Sequence, residues 1–361
     1  MTEKRSVLVA LSGGVDSSVT AALLKKAGHE VVAVTMKTFC HSEFAEGPKA
    51  CCGLEGIAAA RSVSASLGIN HFVIDVSERF KKEVIEDFIR EYSLGRTPNP
   101  CVICNATVKI PDLLLKAKSL GCTDIATGHY AKIIFQEGKH YLYKGEDSAK
   151  DQAYFLWRLP RKIFPNLIFP LGDLTKENVR RIAREFGFVN ANRPESQEIC
   201  FIPDGDYSSF VRKHLPKNHP ALKPGEIFNE HGESIGKHDG ILNFTIGQRK
   251  GIGGGNGRRL YVTGISLEKN AVFVGERKDL SCKTVLLEKM NFLVDEPDSD
   301  CEVEIMIRHR AKPLAGVLKK GEDGIWKVEL DEVAFAVTPG QSGVFFDRKN
   351  KNLLIGGGVI L

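Results

Sequence analysis

The chain has 361 residues, 42% of them hydrophobic and 26% charged, with a formal net charge of +5. That length predicts two or three domains with ample core, and no apolar run approaches the ~20 residues that would span a bilayer. The mild positive charge permits a polyanionic partner and excludes an acidic, solvating chain. The opening Met1-Thr-Glu-Lys-Arg-Ser6 runs at once into an apolar stretch. It therefore predicts no signal or transit peptide and a cytoplasmic location.

In chain order, residues 7–11 predict a buried strand and residues 19–26 a helix that stops at Gly28. Between them, Ser12-Gly-Gly-Val-Asp-Ser-Ser18 holds two glycines and three hydroxyls. Such a strand–loop–helix junction suits a phosphate. Glycines let the backbone come close, and the first helical turn offers free N–H groups and a positive dipole end. The Gly-Lys-Ser/Thr ending of a P-loop is missing. The bland alternative is an ordinary glycine turn.

Residues 31–35 predict a second strand, 37–53 a long loop, 54–67 a helix ending at Gly68, and 71–75 a third strand. Residues 78–92 form an amphipathic helix with Phe80, Val84, Phe88 and Tyr92 on one stripe. Two prolines should keep Gly95-Arg-Thr-Pro-Asn-Pro-Cys101 out of a helix. A helix near 110–120 and a strand over 124–127 lead to Gly128-His129. This alternation predicts a parallel sheet covered on both sides, with ligands at the carboxyl ends of its strands. Residues 176–186 add a helix with Thr175 as N-cap and Gly187 as stop.

Beyond residue 206 the helical periodicity fades. Short strands are predicted over 261–267, 271–275, 301–308, 326–330, 334–337 and 343–347, with a turn at Glu268-Lys-Asn270, which suggests a small barrel. The expected domains are a nucleotide-binding α/β domain over 1–205, a small central domain over 206–280 and a C-terminal β-barrel over 281–361. The cluster Gly251-Ile-Gly-Gly-Gly-Asn-Gly257 does not match Gly-x-Gly-x-x-Gly. Flanked by Arg249, Lys250, Arg258 and Arg259, it reads as a loop suited to a phosphate backbone or as a solvated basic turn.

Nine cysteines stand at 40, 51, 52, 101, 104, 122, 200, 282 and 301, seven of them within the first 200 residues. A reducing compartment disfavours structural disulfides. The pair Cys101-Val-Ile-Cys104, placed in the Pro-rich loop, could be a redox couple, half of a zinc site or part of an iron–sulfur site. No second CxxC accompanies it. Cys200, in Ser196-Gln-Glu-Ile-Cys-Phe-Ile-Pro203, reads by itself as a buried small hydrophobe. Cys40, Cys51 and Cys52 read as structural or incidental, and Cys122, Cys282 and Cys301 as ordinary buried thiols.

Ser-Gly-Gly-x-Asp-Ser at residues 12–17 resembles the signature of the PP-loop ATP pyrophosphatases, which cleave ATP between the α and β phosphates and use the AMP to activate an oxygen. Thiols beside such a site suggest sulfur transfer, because AMP is a good leaving group and a nucleobase oxygen is a poor one. The motifs Ala10-Leu-Ser-Gly-Gly-Val-Asp-Ser17, Thr97-Pro-Asn-Pro100, Cys104-Asn105, Thr127-Gly-His-Tyr-Ala131, Lys150-Asp-Gln-Ala-Tyr-Phe155, Ser196-Gln-Glu-Ile-Cys200, Phe244-Thr-Ile-Gly-Gln-Arg-Lys-Gly251 and Thr338-Pro-Gly-Gln-Ser-Gly343 extend the likeness over nearly the whole chain. With them the chain resembles the tRNA-specific 2-thiouridylase family, which converts the wobble uridine of certain tRNAs to 2-thiouridine.

That resemblance implies an α/β fold: a PP-loop (Rossmann-like, parallel-sheet) domain, a small tRNA-contacting domain and a C-terminal β-barrel. By position, Ala10, Leu11, Ser12, Gly13, Gly14, Val15, Asp16, Ser17, Met36 and Gly128 would bind ATP, with Asp16 holding Mg²⁺. Asn99, Pro100 and Cys101 would frame the target base. Cys104 would be the nucleophile and Cys200 the carrier of a persulfide. Lys150, Asp151, Gln152, Arg308 and His309 would touch tRNA, with His129 and Gln341 near it. Without the resemblance, residues 150–152 read as a solvated polar turn, Met36 as core, and Arg308 and His309 as residues of a β-strand.

Many members carry Asp where this chain has Cys101, so a carboxylate role is vacant unless the thiol fills it. Two mechanisms follow. In one, Cys200 receives a persulfide, attacks the adenylated uridine and is released by a disulfide with Cys104. In the other, Cys101, Cys104 and Cys200 ligate a [4Fe-4S] cluster whose open iron delivers sulfide. The implied partners are tRNA and a persulfide or sulfide donor such as a cysteine desulfurase or sulfur relay protein. The rival functions are a PP-loop ligase or amidotransferase acting on a small metabolite, and a non-catalytic RNA-binding protein.

Overall fold

The computed structural model describes residues 4–39, 54–194, 198–252 and 259–361. Cys40, Cys51, Cys52, Ser196, most of the glycine cluster and Arg258 lie outside the described residues. The chain divides into two compact units, one of Met1–Val84, Cys101–Gly205 and Asn352–Leu354, the other of Ile85–Pro100, Asp206–Lys351 and Ile355–Leu361. Among the described residues no helix is long and apolar enough to cross a membrane.

The first unit is built on a parallel sheet. β1 (Ser6–Ala10), β2 (Glu30–Lys37), β3 (His71–Asp75), β4 (Asp124–Ala126) and β7 (Leu167–Ile168) pair in the order β3-β2-β1-β4-β7. Val7, Leu8 and Val9 of the central strand are wholly buried, as a continuous apolar run in a sheet covered on both faces should be. α1 (Val15–Lys26) places Asp16 in its first turn and Lys25 and Lys26 in its last, in accord with the helix dipole. It starts four residues earlier than its sequence pattern suggests, because Gly14 in an extended conformation can serve as N-cap. Asp16, Ser17 and Ser18 are therefore helical. α2 (Leu54–Leu67) follows, and α3 (Ser77–Phe80) passes through a π-helical turn over Lys81–Ile85.

The CxxC pair corrects an expectation. It lies in a helix, α5 (Pro100–Cys104), not in a loop. Proline at the first helical position loses no intrahelical bond, so Pro100 starts the helix that it was expected to prevent. α5 runs through a π-turn over Asn105–Lys109 into α6 (Ile110–Ser119). Pro111 has no N–H to give the residue-107 carbonyl, and the wider turn precedes the site of that break. A hairpin not foreseen from the sequence, β5 (Ala131–Gln136) and β6 (Lys139–Lys144), turns on Glu137 and Gly138, both at positive φ as a type I′ turn requires. α7 (Lys176–Glu185) has the expected cap, with Thr175 Oγ1 accepting from the Asn178 N–H.

In the second unit, α4 (Glu86–Ser93) packs on α8 (Tyr207–His214): Tyr92 stacks on Tyr207 at 4.6 Å between centroids, and Phe88 meets Phe210 edge-on. β8 (Gly225–Phe228), β9 (Ser234–His238), β10 (Tyr261–Ser266) and β11 (Ala271–Gly275) form a sheet of order β10-β11-β8-β9. β12 (Ser281–Phe292), β13 (Cys301–Met306), β14 (Leu314–Lys320), β15 (Trp326–Phe335), β16 (Ser342–Asp347) and β17 (Leu354–Ile360) close a barrel around Val285, Leu287, Val303, Ile305, Val328 and Phe345. The two strands expected at 326–330 and 334–337 are one strand, β15. Cys282 and Cys301 are half-buried against this core rather than fully buried, whereas Cys122 is buried.

Candidate active site

At the carboxyl end of β1 the glycine loop turns through Gly13, whose φ is +77°. A Cβ there would stand 2.3 Å from the Gly56 carbonyl oxygen, so only glycine fits. Ser17 Oγ donates to the Gly14 carbonyl at 3.0 Å and accepts from the Ser12 N–H at 3.2 Å. Gly14 gives α1 no side-chain cap, which leaves first-turn N–H groups to an anion. Gly128 backs the same turn: a Cβ on it would lie 3.0 Å from the Ser17 nitrogen. The loop and Gly128, singled out separately, therefore meet. Met36 is buried in β2, whose carboxyl end lies on the same edge of the sheet.

Three residues that the sequence reasoning missed complete this end of the sheet. Lys176, only 9% exposed, reaches the Asp16 carboxylate with Nζ 2.7 and 2.8 Å from its two oxygens. Tyr130 donates its hydroxyl to Asp16 Oδ1 at 2.8 Å. Asn190, 4% exposed, donates its amide to the Gly13 carbonyl at 2.8 Å and to Ser18 Oγ at 2.9 Å. A sequence clue to Lys176 existed. A cation in the first turn of a helix opposes the dipole, so a lysine next to a good N-cap asks for another reason to be there. Asp16 was expected to hold Mg²⁺. Its carboxylate fits a cation, but here the cation is the Lys176 ammonium.

Cys101 is exposed and Cys104 half-buried, one turn apart on α5 and its continuation. Burial pushes the Cys104 thiol up from its ordinary range, the nearby Lys109 pulls it down, and Cys101 and Asp112 add to the rise. Cys104 is thus a protonated thiol at neutral pH rather than a preformed thiolate. Cys200 is half-buried in a turn whose next residue, Phe201, is buried edge-on against Phe80 at 5.8 Å. Among the described residues no three His, Cys, Asp or Glu side chains gather as a metal set.

Several residues assigned to tRNA also make contacts within the fold. Asp151 accepts from the Gly145 N–H at 2.8 Å and from the Ala153 N–H, and burial raises its carboxyl. Gln152 Oε1 accepts from the Tyr130 N–H, and its own N–H donates to the Tyr130 carbonyl. Gln152 thus holds the backbone of Tyr130, and Asp151 holds that of Gly145 and Ala153. Lys150 is half-exposed beside them. His129 is buried, with Nδ1 2.7 Å from Thr127 Oγ1 and its ring edge-on to Phe169. Burial and the Lys109 charge hold it down to about 3, so it is neutral. Arg308 is exposed and His309 half-exposed, in a bend just past the end of β13 rather than on a strand. In the second unit Pro98 and Pro100 are buried, Asn99 is half-exposed, and Gln341 Nε2 donates to the Thr97 carbonyl at 2.8 Å.

Comparison with known proteins agrees along the chain. Residues 5–204 match the family described as "tRNA methyl transferase HUP domain", residues 208–276 the "tRNA methyl transferase PRC-barrel domain" and residues 282–360 the "Aminomethyltransferase beta-barrel domain". The tRNA-specific 2-thiouridylase MnmA 1 of Caldanaerobacter subterraneus subsp. tengcongensis is 42% identical over 100% of this chain and 99% of its own length. The tRNA-specific 2-thiouridylase MnmA of Halothermothrix orenii is 43% identical over 98% of each chain. That of Clostridioides difficile is 40% identical over 100% of this chain and 99% of its own.

Proposed function

The chain belongs to the tRNA-specific 2-thiouridylase family, and we propose that it adenylates the 2-carbonyl oxygen of the wobble uridine of tRNA and exchanges that oxygen for sulfur, giving 2-thiouridine, AMP and pyrophosphate. The observation that carries the reading is the Asp16–Lys176 pair set beside an uncapped helix N-terminus. Ala10 to Ser17, with Met36 and Gly128, hold ATP, the phosphates lying on the first-turn N–H groups of α1. Asp16 would hold Mg²⁺, which when bound would neutralise phosphate charge, and the Lys176 ammonium beside that carboxylate is a second cation for the phosphates. The uridine oxygen attacks the α-phosphorus, and pyrophosphate leaves.

Asn99, Pro100 and Cys101 frame the base at the start of α5. The terminal sulfur of a persulfide on Cys200 attacks C2, and AMP departs with the former carbonyl oxygen. Cys104 then attacks Cys200 Sγ, which leaves the thiocarbonyl on the base and a Cys104–Cys200 disulfide for a thiol reductant to reopen. A persulfide carrier of the cysteine desulfurase or sulfur relay class supplies the sulfur. Lys150, Arg308 and His309 supply contacts to the RNA, and the division at 205 and 280 follows the three matched segments. Methyl transfer, the activity in the family description, has no use for a carboxylate–lysine pair beside an anion-binding loop. The test is the nucleotide product. Wild-type protein with tRNA and ATP should release AMP and pyrophosphate in a tRNA-dependent way, and release of ADP and orthophosphate overturns the reading.

A further inference from the structure

The peptide between Gly13 and Gly14 is the easiest in the phosphate loop to turn over. Turning a peptide plane changes ψ of the first residue and φ of the second, and glycine accepts either sign of φ. Gly13 stands at φ +77° and Gly14 at −83°. A planar trans amide sets its C=O and N–H on opposite sides. With the Gly13 carbonyl facing one way, the Gly14 N–H faces the other, where it reaches only Ser12 Oγ at 3.4 Å. That is a long hydrogen bond, one that an anion can replace. Turned over, the peptide would present its carbonyl oxygen on that side and repel a phosphate.

Asn190 opposes the turnover. Its side chain is buried, and both N–H groups of its amide are used, one on the Gly13 carbonyl at 2.8 Å and one on Ser18 Oγ at 2.9 Å. Ser18 Oγ donates in turn to the Gly14 carbonyl at 2.9 Å. Both carbonyls of the glycine pair are thereby tied to one side chain. The turn after α7 sets that side chain: the Arg193 N–H donates to the Asn190 carbonyl at 3.0 Å, and Arg180 of α7 donates to the Ala191 carbonyl at 3.1 Å. Arg193 also pairs with Glu55 in the first turn of α2 at 3.6 Å. The remaining atom, Asn190 Oδ1, is buried and meets no donor among the described residues. A buried acceptor left in that state weakens a fold, and an apolar side chain of the same shape has no such atom. The asparagine therefore serves the loop better than it serves the core.

We propose that Asn190 is a positioning residue for ATP: it locks the Gly13–Gly14 peptide with the N–H towards the triphosphate, without touching the nucleotide. This rests on the reading of residues 10–17 as the ATP loop. Aspartate has the same shape but cannot do the task, because a carboxylate only accepts and would face the Gly13 carbonyl.

The experiment compares wild type with Asn190→Leu and Asn190→Asp in equilibrium binding of α,β-methylene-ATP, of adenosine and of tRNA. In Asn190→Leu the Kd for the triphosphate should rise roughly 10-fold, about the worth of one hydrogen bond to a charged group. Asn190→Asp should bind it more weakly still. The Kd values for adenosine and tRNA should stay within about twofold of wild type, because the lost interaction belongs to the phosphates alone. A weakening shared equally by adenosine makes Asn190 a general support of the fold and overturns the proposal, as does unchanged triphosphate binding in either variant. Wild type that binds the analogue but makes no 2-thiouridine counts against the reaction and leaves the positioning role standing. Wild type that binds no triphosphate overturns both. If Asn190→Leu does not fold, Ser18→Ala, which cuts the second tie, takes its place; it should weaken the triphosphate by about threefold and leave adenosine unchanged.

Discussion

Lys176 Nζ stands 2.7 and 2.8 Å from the two carboxylate oxygens of Asp16, joining the first turn of α7 to the first turn of α1. Two helix N-termini, each favouring anions, thus share one internal ion pair. On the proposed reading an incoming triphosphate would compete with Asp16 for the ammonium. Lys176→Met should lower tRNA-dependent AMP release by roughly 100-fold, the cost of removing one preorganised charge from a developing anion. Binding of tRNA, measured by filter retention, should change little. Lys176→Arg should not restore activity, because a planar fork cannot occupy the place of a compact ammonium. Normal AMP release from Lys176→Met would remove the residue from the chemistry.

The same pair can be dissected for stability. Asp16→Asn leaves the buried Lys176 charge without its carboxylate, and the pair is only partly exposed, at 11% for the lysine side chain and 30% for the aspartate. Breaking a fully buried pair costs ~3–5 kcal/mol, so about 2 kcal/mol is expected here. Urea unfolding should show that loss for Asp16→Asn, and much of it should return in the double variant Asp16→Asn/Lys176→Met. Neither variant should form AMP, while tRNA binding stays nearly intact. Additive losses in the double variant would mean that the two side chains do not sense each other.

Local patterns made the sheet and its loop legible in the sequence. α2 and β3 fall on their expected bounds, because Gly68 ends one cleanly and the other is a short apolar run. What stayed hidden depends on partners distant in the chain. β17 contains Gly356, Gly357 and Gly358, a composition that no strand pattern singles out; in the barrel a Cβ at Gly356 would stand 2.3 Å from the Asn291 carbonyl and one at Gly358 2.4 Å from Met290 Sδ. Glycine there answers to the neighbouring strand, not to a turn. β12 was masked by its register shifts against β15 and β17. In the site, the loop and Gly128, which the fold brings together, could be named from the sequence. Tyr130 and Asn190 could not, and Lys176 only as an oddly placed cation, since their contacts reach across more than a hundred residues.

His129 offers a pH test. Its imidazole is buried, and burial with the Lys109 charge lowers it from 6.5 to about 3. A depressed value in the folded state means that the neutral ring stabilises the fold above the unfolded value and that this contribution is lost as pH falls towards 3. Urea midpoints should therefore decline between pH 6.5 and 3, and His129→Gln should flatten that part of the profile. Each titration unit is worth about 1.4 kcal/mol, so the total reaches several kcal/mol. A profile unaltered by His129→Gln would place the acid sensitivity elsewhere. At neutral pH the ring has no charge to offer a phosphate, so any part it takes in tRNA recognition is by hydrogen bonding.

The thiols set the last expectation. Cys104 is held above its usual range, chiefly by burial, with Lys109 pulling against it and Cys101 adding to it. Only the thiolate attacks sulfur, so the sulfur step in single turnover should accelerate as pH rises through the alkaline range. Cys101→Asp would set a full negative charge one turn from Cys104 and should move that acceleration to higher pH, whereas Cys101→Ser should keep thiolation with little shift. Cys200→Ser should abolish thiolation yet leave the adenylated tRNA detectable by its retained AMP, because only sulfur delivery uses that thiol. Loss of thiolation in Cys101→Ser, together with iron in the purified wild-type protein, would contradict the persulfide route and favour sulfide delivery by a cluster on the three thiols.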